Sequence, residues 1–371
     1  MKKEIGSFYE LGNIDSDVLK IELENKISEL SGFENTYLMC SGREAIEAVI
    51  IDIERKVKNK SKVCILPIYT CDTVIIPFVK HGWEVYFYSI RKDLSICIQE
   101  FEKILDTVKP AVLLLHSYYG VDTLAGVRKK VNEYKREHNT FVIEDMTHSL
   151  GRLCSINCKI ADYYVGSLRK WFDIPDGAFV STNFKMKFKL KDEKEFFIKD
   201  KIKAQTLKRQ YLDGNNTIEK NVFLTLNKKA ENYLYENDSI CEMSFFSRER
   251  MQHICIEKIL EKRKENSIYL EKELSAMHAI KCVLEMDDAS PIYFPIYVEN
   301  REKLQEWLKV NDIFAPVLWS IPEEVKEKLD EDGTYIFEHL LALPCDQRYS
   351  IEDMKRIVTC IQEYERKEVC E

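Results

Sequence analysis

Lys170 lies in the stretch Gly166-Ser167-Leu168-Arg169-Lys170-Trp171, past an apolar run and ahead of the turn Pro175-Asp176-Gly177. A lysine at a strand end can hold an aldehyde as a Schiff base. It can also be an ordinary exposed lysine, the commoner case for this residue type. The other strand ends decide what Lys170 could serve. In Cys40-Ser41-Gly42-Arg43-Glu44-Ala45, Ser41 with Glu44 three residues on forms a capping box that starts a helix. Gly42 permits close backbone approach to a ligand, and a helix N-terminus seats an anion. A plain helix cap reads the same way. In Pro67-Ile68-Tyr69-Thr70-Cys71-Asp72 the ring of Tyr69 can lie on a planar ligand or simply pack. His116 in His116-Ser117-Tyr118-Tyr119-Gly120 can be a ligand, a base or a hydrogen-bonded structural histidine.

Asp145 ends an apolar run in Glu144-Asp145-Met146-Thr147-His148. A carboxylate there is costly to bury without a partner. A protonated pyridine nitrogen would be one, with His148 in reach of the ring's phenolic oxygen. An acid pair capping the next turn is the alternative. Ser167 and Lys170 complete the series. A phosphate seat, a ring acid and a lysine at successive strand ends together match the needs of pyridoxal phosphate.

The elements that must position these residues alternate along the chain. Strands are expected at Thr36 to Met39, Val63 to Leu66, Glu84 to Tyr88, Val112 to His116, Phe141 to Asp145, Tyr163 to Val165 and Ala178 to Val180. Helical spacing covers Asp15 to Leu30, with Val18, Leu19, Leu23, Ile27 and Leu30 on one stripe. It recurs at Ala45 to Val57, Thr73 to His81, Phe101 to Val108 and Val127 to His138. Apolar strands without alternation, separated by helices, imply an α/β fold: a mainly parallel seven-stranded sheet between helices. Ligands in such sheets bind beyond the strands' carboxyl ends.

From Asn183 to Arg209 lysines mix with Phe184, Phe188, Phe196 and Phe197, but Asp192, Glu193, Glu195 and Asp200 dilute them. This segment reads as a solvated helix face. A long helix from Ser247 to Leu274 leads into a smaller α+β part, with a strand at Ile292 to Ile296, a helix at Arg301 to Val310, a short apolar stretch at Ile313 to Val317 and a closing helix at Ile351 to Tyr364. The expected division is 1–240 as a large cofactor-binding domain and 241–371 as a smaller domain.

Composition narrows the function classes. The 371 residues are 45% hydrophobic and 32% charged, with a net charge of -8, which argues against an electrostatic nucleic-acid binder. No apolar run approaches a membrane span, and Met1-Lys2-Lys3-Glu4-Ile5-Gly6 lacks the apolar core of a signal peptide. The 12 cysteines are scattered, several in apolar contexts such as Cys64 and Cys282, and Cys154 with Cys158 has no matching second pair. Reduced thiols in a cytoplasmic protein without a metal site are expected.

The motifs resemble those of the DegT/DnrJ/StrS family of sugar aminotransferases, over most of the chain. Cys40 to Ala45 is similar to the family's Ser-Gly-Thr-x-Ala phosphate loop, and Pro67 to Thr70 to its Pro-x-Tyr-Thr stretch. His116 to Gly120 resembles its His-x-Tyr-Gly segment, and Val142 to Gly151 its Val-Ile-Glu-Asp-Ala-Ala-Gln-x-x-Gly. Lys170 with Pro175-Asp176-Gly177-Ala178 resembles the family lysine and its Glu-Gly-Gly turn, and Leu343 to Tyr349 the closing Leu-Pro segment. The resemblance implies the aspartate-aminotransferase type of fold. It implies Lys170 as the Schiff-base lysine, Asp145 on the pyridine nitrogen and His148 where the family has glutamine. It places Ser167, Gly42 and Arg43 around the phosphate.

Several positions depart from the family pattern. Arg43 replaces a small hydroxyl residue, Cys71 falls near the ring-stacking position, so that Tyr69 or Cys71 fills that role, and Ser167 and Lys170 are two residues closer than usual. Met243-Ser244-Phe245-Phe246-Ser247 stands where the family has Asn-Tyr-Arg. The activity implied is amino transfer from a small-molecule donor, glutamate, to a keto acceptor such as a nucleotide-linked keto sugar, in a homodimer. Other pyridoxal phosphate chemistry (decarboxylation, desulfuration, sugar dehydration) and a non-catalytic member of the fold are the alternatives.

Overall fold

A computed structural model describes residues 4–13, 22–57, 61–153 and 159–370. Residues 1–3, Val18, Leu19, Cys154 and Cys158 lie outside the described residues. The strands are β1 (Ile5–Gly6), β2 (Asn35–Met39), β3 (Val63–Pro67), β4 (Glu84–Tyr88), β5 (Val112–His116), β6 (Phe141–Asp145), β7 (Tyr163–Ser167), β8 (Ala178–Thr182), β9 (Lys281–Cys282), β10 (Phe294–Tyr297), β11 (Ile313–Phe314) and β12 (Leu340–Leu343). A seven-stranded sheet has the order β2-β8-β7-β6-β5-β3-β4. All seven strands were expected, within a residue or two at the ends.

By compactness the chain forms two units, Phe8–Asn59 with Asp162–Cys255, and Lys2–Ser7 with Lys60–Ala161 and Ile256–Glu371. In the first unit β8 runs antiparallel to both β2 and β7, pairing Leu38 with Phe179 and Val165 with Val180. Strands β7 and β8 are buried throughout. Gly166 is the one β7 residue that can face Phe179: an added Cβ would lie 2.5 Å from Phe179 Cε1. The helix Gly42–Lys56 follows β2, and the helices Glu195–Leu212 and Lys220–Glu236 pack on one another.

The segment expected to be a solvated helix face is more buried than that. Lys194, Lys201 and Lys208 are each at least nine-tenths covered. Each finds a counter-charge: Lys201 on Glu231 at 2.6 Å, Lys208 on Glu10 at 3.4 Å and Lys194 on Glu44 at 3.7 Å. Lysine content alone did not reveal these partners, which are distant in sequence.

In the second unit β3 pairs in parallel with β4 and β5, and β5 with β6. Every residue of β5 is buried, as a strand covered on both faces requires. The C-terminal part adds β10 between β12 and β9, all antiparallel. Its core includes Leu270, Phe294, Ile296, Leu308, Leu341 and Ile357. At the start of the chain β1 pairs with β11, and Gly6 is required there because a Cβ would sit 2.3 Å from the Phe314 carbonyl oxygen.

The long helix expected over Ser247 to Leu274 is two helices, Phe245–Gln252 and Ile256–Leu274. The first ends because His253 and Ile254 donate their N–H groups to carbonyls three residues back, at 3.1 and 3.3 Å, tightening the last turn. Lys26 Nζ then takes the Ile254 carbonyl at 3.0 Å. The sequence between the helices contains no glycine or proline to announce the break.

Candidate active site

The first unit holds Ser41, Gly42, Arg43, Ser167 and Lys170. Ser41 is extended, with φ -145 and ψ 158, and caps the helix Gly42–Lys56 by accepting the Glu44 N–H at 3.4 Å. The capping box is altered at its second half. Glu44 does not return to the Ser41 backbone; its Oε1 accepts the Ser41 hydroxyl at 3.0 Å and its Oε2 accepts the Cys241 N–H at 2.8 Å. Burial pushes the Glu44 carboxyl up to about 7, against the pull of Lys194 and these hydrogen bonds.

The opening of this helix lies on Ser167. A Cβ built on Gly42 would come within 3.3 Å of Ser167 Cβ and 3.9 Å of Ser167 Oγ. The pairing joins a helix N-terminus, with its positive dipole end, to a serine hydroxyl. That donor set suits a phosphate. The Arg43 guanidinium points elsewhere. It donates to the carbonyls of Leu234 and Tyr235, at 2.5 and 2.8 Å, at the end of the helix Lys220–Glu236. The backbone of Arg43 remains in the first turn of the helix Gly42–Lys56.

Lys170 closes a 3-10 turn, Leu168–Lys170, and its side chain is exposed. The turn is held by Leu168 and Arg169 N–H groups on the Gly177 carbonyl, at 2.9 and 3.3 Å, and by the Trp171 N–H on Leu168 at 2.8 Å. Gly177 has φ +134 and donates to Cys40 at 2.8 Å. Asp176 is fully buried; its carboxylate accepts the Ser244 N–H at 2.8 Å, the Ser244 hydroxyl at 2.6 Å and the Ser247 hydroxyl. Burial still raises this carboxyl to about 6. The segment standing in place of Asn-Tyr-Arg therefore serves the lysine loop of its own chain.

The second unit holds Tyr69, Cys71, Asp145 and His148. Side chains alternate along β6, so Glu144 and Asp145 face opposite ways. Glu144 is fully buried and takes Arg128, at 2.7 and 3.1 Å. Asp145 Oδ1 accepts the Thr147 N–H at 2.9 Å, capping the turn, and Oδ2 stands 3.5 Å from His116 Nδ1. Burial would raise the Asp145 carboxyl, but His116 and Thr147 outweigh it and hold it below the usual range. An ionised, buried carboxylate is the group a protonated pyridine nitrogen needs.

His148 is buried, with its ring stacked on Trp319 at 5.0 Å and 18°. Tyr69 is also buried and meets Tyr118, Trp319 and Phe337 at 5.6, 4.7 and 5.0 Å between centroids. Cys71 is partly exposed at the N-cap of the helix Asp72–Lys80, accepting the Thr73 hydroxyl at 3.1 Å. Among the described residues, Thr70 Oγ1 and Ser117 Oγ are buried without a hydrogen-bond partner. Buried polar atoms of this kind are uncommon and mark places built to meet something else. Tyr119 has φ +50, a strained value for a bulky residue.

Sequence reasoning missed Trp319, which lies on a loop with neither helical nor strand spacing. It singled out His116 without assigning it a role beside Asp145. That pairing could be read from the sheet, since β5 and β6 put His116 opposite Asp145 in register.

No protein-family model matches the sequence, and no curated protein matches it. Solved structures do. Helicobacter pylori PseC, an aminotransferase involved in pseudoaminic acid biosynthesis, is 15% identical with a TM-score of 0.67, covering 98% of this chain and 100% of its own. The sugar aminotransferase CalS13 from Micromonospora echinospora is 12% identical with a TM-score of 0.68, over 95% and 98% of the two chains. The putative sugar aminotransferase Spr1654 from Streptococcus pneumoniae, in its PLP form, is 14% identical with a TM-score of 0.67, over 98% and 99%. Over nearly its whole length the chain has the fold of these sugar aminotransferases.

Proposed function

We propose that the protein is a pyridoxal phosphate-dependent aminotransferase that moves an amino group from a small-molecule donor, glutamate, to a keto acceptor of the sugar class. The observation that carries this reading is the seat formed by the Gly42 helix N-terminus against Ser167, three residues before Lys170. The fold shared with sugar aminotransferases supports it. The cofactor-binding part is residues 1–240 and the smaller part 241–371, and the working form is a cytoplasmic homodimer.

Each unit offers residues suited to a part of the cofactor. Ser41, Gly42 and Arg43 would give backbone N–H groups, and Ser167 its hydroxyl, to the phosphate. Asp145, kept ionised by His116 and Thr147, would hold a proton on the pyridine nitrogen. His148 would stand at the phenolic oxygen, and Tyr69 or Cys71 against the ring face. Lys170 Nζ would bind the aldehyde carbon. When bound, pyridoxal phosphate supplies an electron sink for a carbanion at the donor's α-carbon. Lys170 Nζ, once free, would take the donor's α-proton as general base and return it as general acid. The exposed position of Lys170 leaves its amine open to that exchange.

The test is spectroscopic. The purified protein with pyridoxal phosphate is expected to show a visible band that Lys170→Ala abolishes. Glutamate is expected to bleach it with release of 2-oxoglutarate. A protein that stays colourless with added cofactor would overturn the proposal.

A further inference from the structure

The loop carrying Lys170 is tied down on both sides of that residue, and one tie leads to the start of the chain. On one side Arg169 donates to Glu231 at 2.8 Å, and Glu231 also takes Lys201 at 2.6 Å. On the other side lies Asp173. Its Oδ2 accepts the Gly12 N–H at 2.7 Å and also takes the Arg250 guanidinium. Arg250 in turn donates to the Gly12 carbonyl at 3.0 Å. One carboxylate and one guanidinium thus engage both polar groups of Gly12.

The approach is close: a Cβ at Gly12 would lie 2.9 Å from Asp173 Oδ2, so alanine there would push the carboxylate aside. The rest of the segment is anchored as well. Leu11 donates its N–H to Gln205 at 3.2 Å, and the buried ammonium of Lys208 donates to the Phe8 carbonyl, reaches Glu10 at 3.4 Å and lies 4.9 Å over the Phe8 ring. Arg250 is 8% exposed and Asp173 23%, so the contact is sheltered from screening.

We propose that Asp173 is a positioning residue: through Gly12 and Arg250 it uses the segment Phe8–Gly12 to hold the Lys170 turn in one conformation for capture of an aldehyde. The proposal rests on Lys170 being the cofactor lysine. A lysine has a long, flexible side chain, so the placement of its amine depends on a fixed backbone. A loose loop would have to be ordered during capture, and its lost conformational entropy would oppose binding.

Two readouts test this in the whole chain. The first needs no cofactor: hydrogen exchange of the peptide containing Trp171 and Phe172, whose N–H groups bond to Leu168. The second is the rate at which borohydride traps added pyridoxal phosphate on Lys170. In Asp173→Asn and in Arg250→Met, exchange is expected to rise and trapping to fall by about tenfold each, with Arg250→Lys restoring part of both. Exchange in β5 should not change. If Asp173→Asn loosens β5 too, Gly12→Ala decides, because it displaces the carboxylate without removing a charge. Unaltered exchange and trapping in these variants overturn the proposal and leave the cofactor reading standing. Failure to trap Lys170 in the unaltered chain overturns the cofactor reading instead, and with it the role given to Asp173.

Discussion

Replacing Arg43 with alanine separates two roles that its place in the sequence superimposes. The residue stands in the phosphate loop, but its guanidinium caps the carbonyls of Leu234 and Tyr235 and is only 8% exposed. Hydrogen bonds to a charged donor contribute about 1.5–3 kcal/mol each, and a cation at a helix C-terminus adds about 0.3–1 kcal/mol. Water will reach the freed carbonyls and recover part of this, so a loss of about 3 kcal/mol is expected. At about 2–4 °C per kcal/mol for a domain of 150–250 residues, the melting temperature should fall by roughly 6–12 °C. Cofactor affinity should stay within about twofold, because the backbone N–H of residue 43 survives the substitution. Thermal melting and a cofactor titration by absorbance measure both quantities on one sample. An unaltered melting temperature with cofactor affinity weakened more than tenfold would instead place the guanidinium on the phosphate.

Three further outcomes are expected. The Glu44 carboxyl is raised from an ordinary value of 4.5 to about 7, so the folded chain holds that proton more tightly than the unfolded chain; the stability it contributes is full below 4.5 and lost as pH rises through 7. Glu44→Gln should flatten the slope of denaturant stability between those values and stabilise the protein by up to about 3 kcal/mol at pH 8. Asp145 has the opposite sign: its carboxyl is held below 3.8, so its contribution is present above that value and lost as pH falls further. Asp145→Asn should therefore remove a decline in stability at the acid end. Gly166→Ala should cost about 1–3 kcal/mol in a urea melt, since its Cβ would meet Phe179 at 2.5 and 2.9 Å.

The seven sheet strands were legible because each is an apolar run bounded by turn residues, and burial on both faces leaves a strong signature at β5 and β7. The strand-end residues followed from the general placement of ligands in such sheets. Other features were hidden for physical reasons. The helix break at His253 is made by a tightened last turn, and the Ile254 carbonyl it frees is taken by Lys26, far away in the chain; neither leaves a local mark. The burial of Lys201 and Lys208 depends on Glu231 and Glu10, and helical lysines look alike whether solvated or paired. Arg43 was placed by its position in a loop, but its long side chain reaches a helix that sequence reading left unassigned. Trp319 reaches His148 from a loop, and loops carry no periodicity from which such a contact can be read.

Everything proposed for the site depends on Lys170 being the residue that takes the cofactor. Reduction of the protein with borohydride in the presence of pyridoxal phosphate, followed by peptide mass spectrometry, locates that residue. One phosphopyridoxyl group per chain is expected, on Lys170, and none after Lys170→Ala. A label spread over several lysines, or fixed on a residue other than Lys170, would contradict it.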